Sequence, residues 1–240
     1  MAAIDVNGVT MSYGDFRALD GVSLHVERGE FFGLIGPNGA GKTTLVKLLI
    51  GQICPDEGTL RVLGKGDGQG LAIKEMVGIV PEAETPPTFL TSREFLQLVC
   101  RIRGLGQIDT KVERWLSFFE LNEKENVLSR DLSKGQRQKL MLASAFIHSP
   151  ELLFLDEPFI NLDPIFQRKV RQYLLSESER GTTIFMCTHI LEIAQKLCTR
   201  VAVINRGRIM AKGSIDELRS KGGEDLENIF MRLVEGDVDT

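Results

Sequence analysis

The chain has 240 residues, and its 29 lysines and arginines against 33 aspartates and glutamates give a formal net charge of −4. Apolar residues make up 42% and charged residues 26%, which is typical of a globular protein and excludes a disordered, collagen-like or disulfide-scaffold chain. We expect no nucleic-acid partner, because the mild acidity argues against the basic surface that such a partner requires.

Membrane and secretion signals are missing from the sequence. No apolar run approaches the roughly 20 residues that a membrane-spanning helix needs. The first residues lack a basic region followed by an apolar stretch, so we expect no secretion signal. The four cysteines form no CxxC pair, and we expect reduced, mostly buried thiols in a reducing compartment. Any membrane connection is therefore expected to go through a partner.

Residues 4–35 are predicted to form mainly β-strands. Val22, Leu24 and Val26 alternate with polar residues, which is the period of a strand with one buried face. A turn follows, and Phe31–Ile35 is predicted to be a short apolar strand. The pattern indicates a β-rich first part of the chain.

The middle of the chain is predicted to be mainly helical. A helix pattern covers Lys42–Leu49, and the alternating glycines of residues 64–70 predict a flexible loop. Residues 85–148 follow helical patterns between two strand regions, which predicts an inserted helical lobe. A capping box is expected at Thr91–Glu94. The next helix is predicted to place four apolar residues on one face: Phe95, Leu98, Val99 and Ile102.

Three later segments are almost entirely apolar, which is typical of strands buried on both faces of a parallel sheet. Helical patterns separate them, so this part predicts an α/β fold. The strands are Glu151–Leu155, Thr183–Thr188 and Val201–Asn205, and the helices cover residues 164–180 and 190–199.

The end of the chain is predicted to hold a hairpin turn and a second capping box. The turn covers Asn205–Arg208 and the capping box Ser214–Glu217. A final amphipathic helix is expected to bury its apolar side, which carries Leu226, Ile229, Phe230 and Leu233.

A segment between the first apolar strand and the following helix fits the pattern G-x-x-x-x-G-K-[ST]. Glycines let successive backbone N–H groups face one anion, and the start of the helix adds its positive end. The lysine brings positive charge to the phosphates, and the threonine hydroxyl is a Mg²⁺ ligand. The flanking strand and helix favour this interpretation over a glycine-rich turn with a surface lysine. The predicted nucleotide-binding residues are Gly36, Pro37, Asn38, Gly39, Ala40, Gly41, Lys42, Thr43 and Thr44.

Two carboxylates, Asp156 and Glu157, come directly after the next buried strand. Ligands of open α/β sheets lie at the carboxyl ends of the strands. Asp156 is therefore predicted to hold Mg²⁺ through water, and Glu157 to orient or deprotonate the water that attacks the γ-phosphate. Acids at strand ends also occur as solvated turn residues. The glycine-rich segment from Gly36 to Thr44, the predicted phosphate loop, favours the catalytic interpretation.

The order of further motifs resembles the ATP-binding cassette (ABC) ATPase family over nearly the whole chain. Leu132–Gln138 is similar to the family's signature motif, usually LSGGQ, and Asn161–Asp163 is similar to its D-loop. Thr188 and His189 resemble the segment that carries the switch histidine. Tyr13 lies upstream, as does the A-loop aromatic that stacks on adenine. These residues together identify the chain as a member of the family.

The resemblance implies a fold and a domain organisation. The expected fold class is α/β, a P-loop NTPase core with a mainly parallel sheet, an N-terminal antiparallel β lobe and an inserted helical subdomain. A single ABC ATPase domain is expected over residues 1–240. Within it, residues 85–148 form the helical subdomain with the signature motif, and residues 214–240 form a C-terminal helical extension.

The signature residues are implied to act across a dimer. Ser133, Gly135 and Gln136 would contact the γ-phosphate of ATP held by the other subunit, although Ser133 also suits a plain helix cap. Lys134 departs from the usual glycine and would be costly if its φ had to be positive. Asp163 suits both the D-loop and a helix N-cap before proline.

Three residues carry further implied roles, each beside a plainer alternative. Tyr13 would stack on adenine, or be an ordinary exposed turn residue. His189 would reach the γ-phosphate and act with Glu157 and Lys42 in catalysis, or be a structural histidine. Glu82 stands where the Q-loop usually has glutamine, and it would be a Mg²⁺ ligand beside Thr43, or an exposed loop glutamate.

The expected function is that of the Mg²⁺-dependent ATP-hydrolysing subunit of an ABC transporter. An integral membrane permease subunit and a head-to-tail partner, either the same chain or a related ATPase, are implied. The protein would lie in the cytoplasm, peripheral on the inner face of the cell membrane. The Q-loop and signature variants resemble ABC-2-type exporters. The alternatives are a soluble non-transport ABC ATPase acting as an assembly or mechanical factor, and an inactive regulatory module, which the catalytic residues disfavour.

Overall fold

Two sheets organise the protein in the computed structural model, which describes residues 2–66, 68–82, 86–220, 228, 230 and 231. The described residues form ten strands: β1 (Ala2–Tyr13), β2 (Phe16–Glu27), β3 (Phe31–Ile35), β4 (Glu57–Val62), β5 (Lys65–Gly66), β6 (Val77–Val80), β7 (Leu152–Asp156), β8 (Thr183–Thr188), β9 (Arg200–Asn205) and β10 (Arg208–Ser214).

Helices cover the larger sheet and form a separate lobe. The described residues form eight α-helices and two short 3₁₀ helices, the latter at Asn122–Lys124 and Ser129–Asp131. The α-helices are α1 (Lys42–Leu49), α2 (Gly70–Met76), α3 (Ser92–Ile102), α4 (Ile108–Phe118), α5 (Lys134–Phe146), α6 (Pro164–Glu179), α7 (Leu191–Leu197) and α8 (Ile215–Ser220).

The larger sheet has six strands in the order β10-β9-β3-β8-β7-β6. Five of them are parallel, and β10 pairs with β9 antiparallel. All residues of β3, β7 and β8 are buried, because helices cover both faces of a parallel sheet. The register pairs Ile35 with Thr188 and Asp156 with Cys187, so three strand ends meet at one edge of the sheet. The predicted mainly parallel α/β sheet is present.

The smaller sheet is antiparallel in the order β2-β1-β4-β5. In β2, Val22, Leu24 and Val26 are buried and the residues between them are exposed, as the alternation predicts. The described residues of the predicted loop at 64–70 are more ordered than expected. Lys65–Gly66 pairs with β4, and α2 begins at Gly70.

The helical lobe contains α3, α4 and the start of α5. The capping box at Thr91 and Glu94 is confirmed. The predicted apolar face of α3 is partly wrong, because Leu98 is 39% and Ile102 is 75% exposed. The face that packs inward instead centres on two residues that the prediction omitted, Leu96 and Cys100, with Phe95 and Val99 beside them.

An aromatic cluster joins the helical lobe to the larger sheet's helices. The Trp115 ring of α4 lies 5.9 Å from Phe119, 5.7 Å from Phe146 of α5 and 5.5 Å from Tyr173 of α6. Such aromatic pairs bury large apolar areas and stabilise the contact between elements. The lobe is therefore packed against the same core as the α/β sheet. The boundaries of residues 85–148 as a subdomain stay a prediction.

The C-terminal predictions are partly resolved. The two-residue turn between β9 and β10 and the capping box at Ser214 and Glu217 are both present. Phe230 packs against the main core, whereas Leu226, Ile229 and Leu233 of the predicted final helix lie outside the described residues. In the described part of the chain, no helix is long and apolar enough to span a bilayer. Cys54 is exposed, and the other three cysteines are buried free thiols.

Candidate functional site

The glycine-rich loop runs from the end of β3 to the start of α1, at the edge where the parallel strands end. Lys42 is buried, and its Nζ donates to the backbone oxygens of Gly36 at 2.8 Å and Pro37 at 3.0 Å. The backbone of the loop therefore folds back around the ammonium group of Lys42. A buried charge requires such partners, and the phosphate oxygens of a nucleotide would be stronger ones than carbonyls.

Thr43 and Asp156 connect this loop to the end of β7. The Thr43 hydroxyl donates to Asp156 Oδ2 at 2.9 Å. The other oxygen, Oδ1, is buried without a hydrogen-bond partner. Burial raises the pKa of Asp156 to about 6, and the charges of Glu82 and Glu157 act in the same direction against the Thr43 hydrogen bond. A buried carboxylate that has one oxygen without a hydrogen-bond partner, next to a hydroxyl group, fits a hard divalent cation such as Mg²⁺.

The cation site would need ligands from outside the protein. Within the residues that the structure describes, no three His, Cys, Asp or Glu side chains cluster as a metal site. Mg²⁺ usually keeps waters and takes one or two carboxylates together with substrate phosphates. The donor set of Thr43 and Asp156 fits that pattern.

Glu157 is held by the segment that ends β8. Its Oε1 accepts from the backbone N–H of His189 at 2.8 Å and lies 2.6 Å from His189 Nδ1. Its Oε2 accepts from the Thr188 hydroxyl at 3.1 Å. The residue is only 5% exposed and has a φ of 49°, a strained conformation of the kind that concentrates at functional sites. The structure therefore brings Glu157 and His189 together.

A cavity of about 430 Å³ lies over the glycine-rich loop. The aromatic residues Tyr13 and Phe16, 47% and 64% exposed, stand at one side of it. Sequence reasoning missed Phe16, although a second aromatic three residues after Tyr13 was a usable signal. The remaining lining residues are Ala18, Asn38, Gly39, Gly41, Lys42, Thr43, Thr44 and Glu82.

Glu82 lies between this cavity and a second one. It is exposed, and it also lines a neighbouring cavity of about 380 Å³ together with Thr43 and Asp156. The carboxylate is therefore near the predicted Mg²⁺ ligands and is also open to solvent. Both interpretations of Glu82 remain compatible with this position.

The signature residues do not line the cavity over the glycine-rich loop. Ser133 caps α5, since its Oγ accepts from Gln136 N at 3.2 Å and Gln136 Oε1 accepts from Ser133 N at 2.9 Å. Lys134 is the first residue of α5 and has no positive φ, so lysine in place of glycine costs no backbone strain. A Cβ at Gly135 would lie 2.7 Å from the Asn161 backbone oxygen. The signature helix therefore packs closely on the predicted D-loop.

Asp163 is the N-cap of α6, and its Oδ1 accepts from Phe166 N at 2.9 Å. The predicted cap before Pro164 is confirmed. Asn161 of the predicted D-loop has a φ of 63°, in the left-handed region that asparagine adopts more readily than most residues. Neither of the two lines the cavity over the glycine-rich loop.

Comparison with known proteins decides the family. A family model described as "ABC transporter" matches residues 19–160, more than half of the chain. The protein belongs to the ABC transporter family. The predicted recognition is thereby confirmed.

Individual relatives extend the similarity of this ABC protein to most of its length. It is 39% identical to the Nod factor export ATP-binding protein I of Paraburkholderia xenovorans (strain LB400), over 95% of this chain and 77% of that protein. It is 37% identical to the daunorubicin resistance ATP-binding protein DrrA3 of Streptomyces coeruleorubidus, over 96% of this chain and 74% of that protein.

A solved structure confirms the fold of this ABC protein. The structure of an ATP-binding subunit of an ABC transporter superposes with a TM-score of 0.89 at 30% identity, covering 96% of this chain and 99% of that one. The P-loop NTPase core, the antiparallel N-terminal sheet and the role as an ATP-binding subunit of an ABC transporter are confirmed. The roles of the individual residues stay predictions.

Proposed function

We propose that this ABC subunit binds ATP with Mg²⁺ over the glycine-rich loop and hydrolyses it to drive export through a separate membrane permease. The observation that carries the proposal is the Lys42 ammonium, buried against the carbonyls of Gly36 and Pro37 at the floor of a cavity walled by Tyr13. The β- and γ-phosphates would replace these carbonyls, while Tyr13 and Phe16 would contact the adenine.

The reaction would use the groups at the ends of β7 and β8. Glu157, positioned by Thr188 and His189, would orient and deprotonate the attacking water. His189 would stabilise the charge on the γ-phosphate. Thr43 and Asp156, with Glu82 nearby, would hold Mg²⁺, which neutralises phosphate charge when bound.

A second copy of this chain, or a related ATPase, would complete each site in a head-to-tail dimer. Ser133, Gly135 and Gln136 lie outside the cavity that contains Lys42, so one chain does not bring both halves of the proposed site together. The capped N-terminus of α5 offers backbone N–H groups and a positive helix end to a phosphate. Asp163 would contact the partner across the same interface.

The permease would dock on the helical lobe beside Glu82. Phe89 and Ile102 are 74% and 75% exposed and Leu98 is 39% exposed, which leaves large apolar side chains uncovered on α3 and in the segment before it. The relative named for Nod factor export supports a cargo that leaves the cell. The subunit would then act at the cytoplasmic face of the membrane. This surface favours transport over the alternative of a soluble assembly factor.

A mixing experiment tests the shared site. Lys42→Ala destroys one half of a site and Ser133→Ala the other, so each variant alone is expected to be almost inactive. Random mixing places one intact site in half of the dimers, and we expect about a quarter of the wild-type ATPase rate to return. Labelled-ATP binding to the wild-type protein is the control. No recovery from two folded variants would contradict a site shared by identical chains.

A further inference from the structure

The turn between β9 and β10 contacts the glycine-rich phosphate loop directly, although the turn itself contains none of the motifs recognised in the sequence. The Gly207 N–H donates to the Ala40 backbone oxygen at 3.0 Å, and the Gly207 oxygen accepts from the Asp20 N–H at 2.9 Å. One residue of the turn is therefore hydrogen-bonded both to the phosphate loop and to β2.

The contact leaves no room for a side chain. Arg206 and Gly207 have φ angles of 43° and 77°, as a two-residue hairpin turn of type I′ requires. A Cβ at Gly207 would lie 2.7 Å from the Ala18 oxygen and 3.0 Å from Leu19 Cα. A Cβ at Gly41 would meet the same Ala18 oxygen at 2.7 Å. Because these neighbours are backbone atoms, they have no rotamer with which to move aside.

Three backbone segments meet at Gly207: the β9–β10 turn, the phosphate loop and β2. The last two carry the phosphate end and the adenine end of the proposed nucleotide site. Gly41 precedes Lys42 in the phosphate loop. Ala18 belongs to β2, which begins at Phe16. Phe16 and Tyr13 form one side of the cavity, which we call its aromatic wall. Outside this junction, the side chain of Asp20 also accepts from Arg208 Nε at 2.7 Å, which ties β2 to β10.

We propose that Gly207 is a positioning residue for ATP, which fixes the phosphate loop relative to the aromatic wall that faces the adenine. The proposal rests on the ATP site described above. Gly207 touches neither catalytic carboxylate, so its effect would be on affinity for the nucleotide. A preorganised site loses less free energy on binding than one whose two walls move independently.

Gly207→Ala tests the proposal against a matched control. Gly64 occupies the same place in the turn between β4 and β5, with a φ of 80° and no atom within 4 Å of an added Cβ. Gly64→Ala therefore has the same backbone strain without the clash. We expect the Kd for ATP to rise about tenfold or more in Gly207→Ala and to stay near wild type in Gly64→Ala.

The kinetic parameters separate positioning from a loss of folded protein. Gly207→Ala is expected to raise KM for ATP while kcat at saturating ATP stays near the wild-type value, because Glu157 is untouched. A loss of folded protein alone would lower kcat and leave KM unchanged. Equal ATP affinity in Gly207→Ala and wild type would overturn the proposal. Failure of the wild-type protein itself to bind ATP would instead refute the proposed function.

Hydrogen exchange in the wild-type protein gives a test that needs no variant. ATP is expected to slow exchange of the amides at residues 206–208, which do not line the cavity, and to leave those at residues 63–65 unchanged. Unchanged exchange at residues 206–208, in protein that binds ATP, would also overturn the proposal.

Discussion

His189 holds Glu157 at two points: its backbone N–H donates to Oε1 at 2.8 Å, and its Nδ1 lies 2.6 Å from the same oxygen. A carboxylate fixed by two contacts on one oxygen and by Thr188 on the other has little freedom to turn. This rigidity suits a group that must present one lone pair to a water molecule.

Glu157→Gln is expected to keep ATP binding and to slow hydrolysis by about 10²–10⁴-fold, because the amide accepts no proton from water. The ATP-bound state would then persist as a dimer. Phosphate release measures the rate, and size-exclusion chromatography with ATP measures the dimer. A monomeric variant with undiminished hydrolysis would contradict the proposed role.

Leu98→Asp is expected to weaken association with the membrane permease without affecting ATP hydrolysis by the isolated subunit. A charge in an apolar docking surface stays desolvated and unpaired, which is costly. Leu175→Asp on α6 is a matched control, because Leu175 is 38% exposed and Leu98 is 39% exposed. Co-purification with the permease is the measurement, and equal losses in both variants would argue against docking on the helical lobe.

His148 is expected to make the protein less stable below neutral pH. Its Nε2 donates to the Val77 oxygen at 3.1 Å, and its Nδ1 is buried without a partner. Burial, together with the charge of Arg103, lowers the pKa of His148 to about 4. In the unfolded chain the pKa is near 6.5, so between these values the unfolded state binds more protons.

The free energy of unfolding is therefore expected to fall by about 2 kcal/mol from pH 7 to pH 5 through His148 alone. His148→Gln removes this titration, and its unfolding free energy should depend less steeply on pH by that amount. Urea unfolding of both proteins at the two pH values measures the difference. Identical slopes for both proteins would show that His148 does not titrate in the unfolding reaction.

The elements that depend on local pattern were predictable from the sequence. The bounds of α1 match the prediction at both ends, and the predicted capping boxes at Thr91 and Ser214 are present. The buried strands β7 and β8 follow from their uninterrupted apolar runs. The glycine-rich loop was predictable from its sequence pattern. The position of the acids after β7 was predictable because ligands of open α/β sheets lie at the carboxyl ends of the strands.

Features that depend on packing between distant segments were not predictable. Periodicity alone does not tell which of two adjacent apolar stripes on α3 faces inward, so Leu98 and Ile102 were misplaced. The close approach of Gly207 to Ala18 depends on how β2 packs against the turn between β9 and β10, which no local pattern records. The position of Phe16 at the cavity is seen only in the structure, although a second aromatic residue close to Tyr13 was a signal in the sequence.

The bonds from the Lys42 ammonium to the Gly36 and Pro37 carbonyls have a consequence for product release. Once ADP had left the proposed site, the positive charge would have internal acceptors within reach and would not remain buried without a partner. The resting subunit would therefore keep its ammonium group paired between turnovers, and an incoming nucleotide would have to displace the two carbonyl oxygens from it.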